Sequence, residues 1–278
     1  MKQILYSIYD VIFLFFEKYF KLHITRSHFY SPILNSNDLN KELYSKKYSI
    51  DNLNLNINKQ IKLIEKFSNT YSKEFLPYEN GGLTRVDAFI LYSFIRDKKP
   101  KKIVEIGYGA STGIILNAIT YNKIDSNFYT IDPFVKINKY KYNNQINLIK
   151  KKVQDIDLKF FKDVDLLFID SSHVSKAGSD VNFQLFEIIP SMKKNSIVHW
   201  HDIFIPFNYP KNFLQNKNHN MYWNESYFVY SFLLYNYDFE ILYSGRYLQK
   251  EKFKFLEKKF PFLKTYNLMS SLYVEKLK

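Results

Sequence analysis

The sequence contains no cysteine, which excludes a disulfide framework and any thiolate metal site and fits a reducing, cytoplasmic setting. Glycine is scarce, at seven residues, and no Gly/Ser-rich linker or internal repeat interrupts the chain, so repeat arrays are excluded. Arginine is scarcer still. Only Arg26, Arg85, Arg96 and Arg246 stand among 40 basic residues. The formal charge of +13 invites anionic partners. Scattered lysines without arginine nonetheless argue against specific nucleic-acid recognition, which favours bidentate guanidinium contacts. An uninterrupted apolar span is also missing. The most apolar stretch, "ILYSIYDVIFLFFEKYFKL", is broken by Asp10, Glu17 and Lys18, whereas a spanning helix needs about 20 predominantly apolar residues. Nor does it offer a small-residue cleavage site. It reads as an amphipathic helix packed on its own domain or on the second subunit of a homodimer. The alternative is an interfacial membrane anchor through residues 4–22.

What is present is a core-forming composition: 46% hydrophobic residues, with 24 tyrosines and 26 phenylalanines. A chain of 278 residues suits one large α/β domain with an extension. Residues 1–80 read as a helical accessory region and 81–278 as the main domain. Within the first, Asn and Ser around Pro32 break regularity before a helix near Ile57 to Phe67. Thr84 with Asp87 forms a capping-box start for a helix that Pro100 ends.

From there, short apolar runs alternate with helical segments. "KKIVEIGYG", "NFYTIDP", "NLIKKKV", "VDLLFID" and "SIVHWHD" read as five strands of a mainly parallel sheet covered on both faces. A helix from about Asn224 to Tyr235 follows, and "DFEILYS" with "SSLYVEKL" suggests an antiparallel closing pair.

In "VEIGYGAST", Gly107 and Gly109 allow a sharp turn and close approach of a ligand to the main chain. Ser111 and Thr112 then open a helix whose free amides and hydroxyls face a polar group. Asp132 ends the second strand, 25 residues after Gly107, near the offset of an acid that takes ribose hydroxyls. Together they point to a ribose-bearing cofactor; Asp132 also reads as a turn residue before Pro133.

With these residues in view, the sequence resembles the class I S-adenosylmethionine (SAM)-dependent methyltransferases, whose acid-x-G-x-G motif is matched by Glu105, Gly107 and Gly109. More narrowly, it is similar to an uncharacterised subgroup near the small-molecule O-methyltransferases, through "HFYSPI", "VEIGYGAST", "FIDSSHVSKAGSDVN", "VHWHDIFIPFNYP" and "WNESYFVYSFL". The resemblance runs from about His28 to the C-terminus and departs at Tyr108 and Thr130. It implies a Rossmann-like fold, a seven-stranded sheet with an antiparallel closing strand, and SAM across the strand ends. By the same resemblance, Gly107 and Gly109 line the methionine part, Asp132 takes the ribose, and Gln154 and Asp155 lie beside the adenine.

If the fourth and fifth strands are neighbours, Asp170, Ser171 and His173 emerge beside His201 and Asp202 at the ligand end of the sheet. His199 shares a strand face with His201 and lies deeper, as a support. Methyl transfer to a hydroxyl is mostly positioning, plus removal of a proton. Two routes for the proton stay open. One is a histidine base, His201 ahead of His173, with Asp170 beside it. The other is Mg²⁺ on Asp170 and Asp202. Related metal-dependent O-methyltransferases carry acids at those two places, although His201-Asp202 replaces their usual Asp-Asn or Asp-Asp pair. Asp180 reads as the start or cap of the next helix, and "FIPFNYP" as a lid or acceptor-pocket wall.

The expected activity is methyl transfer from SAM to a small-molecule acceptor, a hydroxyl of a sugar or phenolic metabolite. A nucleic-acid methyltransferase is the alternative favoured by charge alone, although the chain lacks the Asn/Asp-Pro-Pro-aromatic tetrapeptide and the thiol such enzymes use. A non-catalytic SAM-binding or membrane-associated protein is the third reading.

Overall fold

The computed structural model describes residues 2–24, 28–31, 33–34, 36–75, 82–123, 125–135, 146–214, 222–263 and 268–278. Pro32 therefore lies outside the described residues. The chain divides into two units, Met1–Tyr44 with Pro210–Tyr222, and Ser45–Tyr209 with Trp223–Lys278.

The first unit contains α1 (Lys2–Phe20), a short 3-10 turn at Ser36–Asp38, most of α2 (Lys41–Ser45), and α8 (Lys211–Leu214). On α1, rings four residues apart touch, as in Phe15–Tyr19 and Phe16–Phe20. Its apolar residues Val11, Leu14, Phe15 and Tyr19 are exposed. No described helix is long and apolar enough to cross a membrane.

The second unit is built on one seven-stranded sheet. Its strands are β1 (Lys102–Ile106), β2 (Asn127–Ile131), β3 (Asn147–Ile149), β4 (Leu166–Ile169), β5 (Ile197–Trp200), β6 (Phe239–Ser244) and β7 (Leu272–Lys276). They lie in the order β3-β2-β1-β4-β5-β7-β6. All neighbours pair in parallel up to β5, and β7 runs antiparallel to both β5 and β6, so the closing pair is as expected.

The helices are α3 (Ile57–Tyr71), α4 (Arg85–Lys98), α5 (Ala110–Asn122), α6 (Asp180–Phe183), α7 (Ile189–Ser191), α9 (Glu225–Leu233), α10 (Gly245–Glu251) and α11 (Phe253–Lys259), with a π-helical turn at Gln184–Ile188 joining α6 to α7. α4 begins as read from sequence: Thr84 Oγ1 accepts from Asp87 N at 3.1 Å and donates to the Asp87 carboxylate at 2.8 Å.

Strand alternation divides the core. Ile103, Leu166, Phe168 and Ile197 pack on the face covered by α3, α4 and α5. Val104, Leu167, Ile169 and Val198 pack on the face covered by α6, α7 and α9. Strands buried on both faces are what near-continuous apolar runs specify. The boundary expected at residue 80 is not where this packing divides: Ile64, Phe67 and Tyr71 of α3 belong to the first of these cores. An apolar helix stripe must bury against another element, and here that element is the sheet unit.

Tyr273 of β7 ties the closing strands to their neighbours, stacked on Phe94 of α4 at 4.1 Å and on His199 of β5 at 3.9 Å. Replacing Phe94 by Ala should lower the unfolding free energy by about 3–5 kcal/mol, through lost burial plus the cavity left between α4 and β7. A chemical-denaturation midpoint close to wild type would show that this stack is dispensable.

Candidate active site

The sheet order reverses between β1 and β4, which opens a crevice at their carboxyl ends. Gly107 follows β1 with φ +113°, a conformation that L side chains rarely adopt, and a Cβ there would sit 2.5 Å from the backbone oxygen of Asp170. Glycine is therefore required, and it sets the turn against the residue that ends β4. Gly109, in contrast, has extended φ (−170°) and nothing within 4 Å of the position a Cβ would take. The turn there faces open space and caps α5.

Glu105 lies fully buried beneath the turn, accepting from Ser111 Oγ at 2.5 Å and Thr112 Oγ1 at 2.7 Å, while Gly109 N donates to Thr112 Oγ1 at 3.1 Å. Glu105 and Ser111, expected at the cofactor, are thus engaged with each other and shape the turn from below. Burial pushes the Glu105 carboxyl up to about 8; the nearby charges of Asp170 and Asp132 add to this, and the two hydroxyls oppose it.

Asp132 follows β2 half-buried, and its Oδ1 accepts from Phe134 N at 2.7 Å. It is a turn residue and also an acid at the crevice. Gln154 and Asp155 form a 3-10 turn after β3; Gln154 donates to Gly178 O at 3.0 Å and Asp155 is exposed.

Asp170, His173, His201 and Asp202 converge at the ends of β4 and β5, as the sequence suggested. His173 Nε2 lies 3.2 Å from Asp170 Oδ1 and 4.0 Å from Asp202 Oδ2. His201 Nδ1 lies 3.6 Å from Asp170 Oδ1 and 3.4 Å from Asp202 Oδ2. Both histidines are buried. Burial works against their charged forms, but the adjacent carboxylates outweigh it, holding His173 up at about 10 and His201 well above the usual imidazole range. Burial would also raise Asp170, yet hydrogen bonds and charge from the two imidazoles take it well below its usual value. His199 is the deep support expected: fully buried, bonded through Nε2 to Ser271 Oγ at 2.9 Å, and held neutral by burial.

Three residues of this site were not singled out in the sequence as part of it. Glu225, the first residue of α9, is fully buried and accepts from His173 Nδ1 at 2.7 Å. Ser270, just before β7, donates to Asp202 Oδ1 at 3.0 Å and meets His201 Nε2 at 3.3 Å. Asp87, read only as a cap, is fully buried and accepts from the backbone N–H of Ser270 at 3.1 Å. Trp223 packs its ring 4.2 Å from that of His173. Asp180 opens α6 behind Ser179, the N-cap, and its carboxylate takes Ser172 N and Oγ. The segment "FIPFNYP" is not a lid: Phe204 and Tyr209 are fully buried, because Phe204 N and Tyr209 Oη both bond Ser226 at the start of α9. It does wall an aromatic groove, lined with Tyr48, Ile205, Phe207, Tyr227 and Tyr230.

Mg²⁺ on Asp170 and Asp202 was one expectation. The residues do not fit it. Mg²⁺ demands near-octahedral oxygen ligands and keeps several waters, whereas two buried imidazole nitrogens share the space between these carboxylates.

Residues 104–203, from within β1 to just past β5, match a family model described as a methyltransferase domain. That stretch carries β2, β3, β4 and β5 and most of β1, so the matched region is the parallel part of the sheet and the strand ends where the cluster lies. The chain is 28% identical over 162 residues, 50% of its own length and 72% of the relative's, to an uncharacterised protein of Archaeoglobus fulgidus. Among solved structures it is similar to the Podospora anserina methyltransferase PaMTH1 bound to S-adenosylhomocysteine (SAH), at 15% identity and a TM-score of 0.46, covering 85% of this chain and 92% of that one. It is also similar to the O-methyltransferase TomG of Streptomyces achromogenes in complex with SAM, at 11% identity and a TM-score of 0.47, covering 78% of this chain and 90% of that one.

The two turn glycines should respond differently. Gly107→Ala should cost about 3 kcal/mol or more of stability, through strain and overlap with Asp170 O, whereas Gly109→Ala should stay within about 1 kcal/mol of wild type. Equal denaturation midpoints for both variants would contradict this geometry. For Glu105, the folded value of about 8 lies above the unfolded 4.5, so the native state holds the extra proton between them and stability falls as pH rises through that window. Glu105→Gln should flatten the decline of Tm from about pH 4.5 to 8; an unchanged slope would contradict the burial argument.

Proposed function

We propose that the domain transfers the methyl group of SAM to a hydroxyl of a small molecule, a sugar or a phenolic metabolite. The observation that carries this reading is the convergence of Asp170, His173, His201 and Asp202 beside the open turn at Gly109. The turn suits a cationic adenosyl sulfonium better than a dinucleotide, because Asp132 and Asp170 lie near it and an anionic pyrophosphate would meet their charge. Bound SAM supplies an electrophilic methyl group on sulfur.

The chain's own residues do the rest. Gly107 keeps the backbone turn close to Asp170, and Gly109 leaves the space for the ligand. Asp132 is the acid placed for the ribose hydroxyls, and Gln154 and Asp155 flank the adenine. The acceptor oxygen has to be held in line with the methyl carbon, which is chiefly a matter of fixed geometry. Its proton leaves at the cluster, where His201 Nδ1 and His173 Nε2 accept it only in their deprotonated form, which the neighbouring carboxylates shift to higher pH. The aromatic groove supports a planar or sugar acceptor, because its walls come from α9 and the segment after β5, the elements that carry Glu225 and Asp202.

Calorimetric titration with SAM and SAH should show 1:1 binding of both. Absence of binding would overturn the cofactor assignment. With a hydroxyl acceptor in hand, His201→Ala should lower kcat by about 10²–10⁴-fold while SAH affinity stays close to wild type. A parallel loss of both would move His201 into the cofactor pocket.

A further inference from the structure

Beyond the cluster, the rim of the sheet carries a cation that no described residue neutralises. The register sets Trp200, Leu272 and Ser244 side by side across β5, β7 and β6. Pairing continues past them, since Ile203 N donates to Ser270 O and Gly245 N donates to Ser271 O, both at 2.9 Å. β6 runs parallel to β5, so Gly245 and Arg246 leave the sheet at the same end as His201 and Asp202. Two strand spacings, about 10 Å, separate the two rims, with Ser270 and Ser271 between them.

Arg246 lies half-buried in the first turn of α10. Its Nη1 donates to Gln249 Oε1 at 2.9 Å, and that oxygen also accepts from Met269 N at 3.3 Å, which ties the side chain to the segment that carries Ser270. Its Nε is buried and has no hydrogen-bond partner. Among the described residues no carboxylate pairs with it, and burial holds its pKa below the usual guanidinium value with no acid to oppose the shift. Burial, and then the charge of Arg246, lower Lys250, four residues along the same helix. Glu251, the acid of α10, is bonded to Lys47 Nζ at 2.7 Å. Arg96, by contrast, has Glu74 at 2.6 Å, and Arg85 lies over the Phe262 ring at 4.3 Å. Like charges four residues apart on a helix repel, and a half-buried cation without an acid is costly. An anion brought by a ligand relieves both.

We propose that Arg246 binds an anionic group of the acceptor, a carboxylate or a phosphate, at the rim of the sheet beside the cluster. Guanidinium suits this task because its planar fork meets two oxygens of either group at once. The inference rests on the proposed reaction for the acceptor's place, and it narrows the acceptor to an acidic phenol or a sugar phosphate. With the hydroxyl at the cluster and the acid two strands away, both ends of the molecule are held, which is the alignment that methyl transfer requires.

The test loads the full chain with SAH and titrates it calorimetrically with 3-hydroxybenzoate and glucose 6-phosphate, and with their neutral counterparts, 3-hydroxybenzyl alcohol and glucose. At least one acid should bind about 10-fold or more tightly than its counterpart, and which acid does so separates carboxylate from phosphate. Arg246→Gln should remove that preference, weakening the acid by about 10–100-fold. Arg246→Lys, which keeps the charge but not the fork, should fall between the two. Both variants are checked for native circular dichroism and should keep wild-type SAH affinity. Acids that bind no better than their neutral counterparts, absence of binding included, overturn the proposal. So does an acid preference that survives in Arg246→Gln. Equal loss of SAH and acid binding in Arg246→Lys also overturns it, because Arg246 would then serve the cofactor. Failure of SAH to bind the wild-type chain sinks the cofactor reading instead, and the same titrations of the unliganded chain still decide the role of Arg246.

Discussion

The site depends on one backbone approach. Gly107, at the end of β1, lies so near the carbonyl of Asp170, at the end of β4, that no side chain fits between them. β1 and β4 are the two parallel strands at which the chain reverses its direction of travel across the sheet. Their end-to-end register is therefore set by main-chain contact and not by adjustable side chains. Gly107 N donates to Ile131 O and Asp170 N donates to Ile106 O, so the same turn is tied sideways to β2 as well. A carboxylate fixed this way cannot drift from the glycine cradle, and a reaction governed by alignment needs that constraint.

Around this contact the molecule buries several ionisable groups beside polar or charged partners. Glu105 is served by two hydroxyls, Asp87 by Thr84 and two backbone amides, Glu225 by His173, and the two imidazoles by Asp170 and Asp202. Losing one member of such a network leaves an uncompensated buried group, so the cluster is stable only as a set. Asp87 illustrates the linkage. It caps α4, holds the Ser270–Ser271 backbone, and through those serines orients both His199 and His201. A helix start on one side of the sheet thereby reaches the chemistry at its edge.

The elements and the cluster's four members were legible in the sequence because their signals are local. Alternating apolar runs gave the strands, Thr84 with Asp87 gave a helix start, and an acid or histidine at the end of an apolar run lies at a strand end by construction. The neighbours of those members were not legible. Glu225 is 52 residues from His173, and Ser270 is 69 from His201. Nothing in a three- or two-residue period links such pairs. The same limit explains the lid expectation: prolines and aromatics in "FIPFNYP" signal irregular backbone, but only the tertiary bonds to Ser226 reveal that this backbone is packed. The boundary at residue 80 was placed by the change in periodicity, whereas the packing is set by where α3 finds an apolar surface.

The start of α9 carries the last step of this reasoning. The backbone oxygen of His173 accepts from both Asn224 N and Glu225 N, and Asn224 exchanges side-chain bonds with the Ser175 backbone. His173 itself has φ +58°, in the left-handed region that histidine enters more readily than most residues. The amides at the helix start hold its carbonyl, while the first side chain of the same helix bonds its Nδ1. Two residues further on, Tyr227 lines the aromatic groove. Docking of one short helix therefore positions the His173 imidazole and the groove wall together, so that the cluster and the groove are not independent features of this domain.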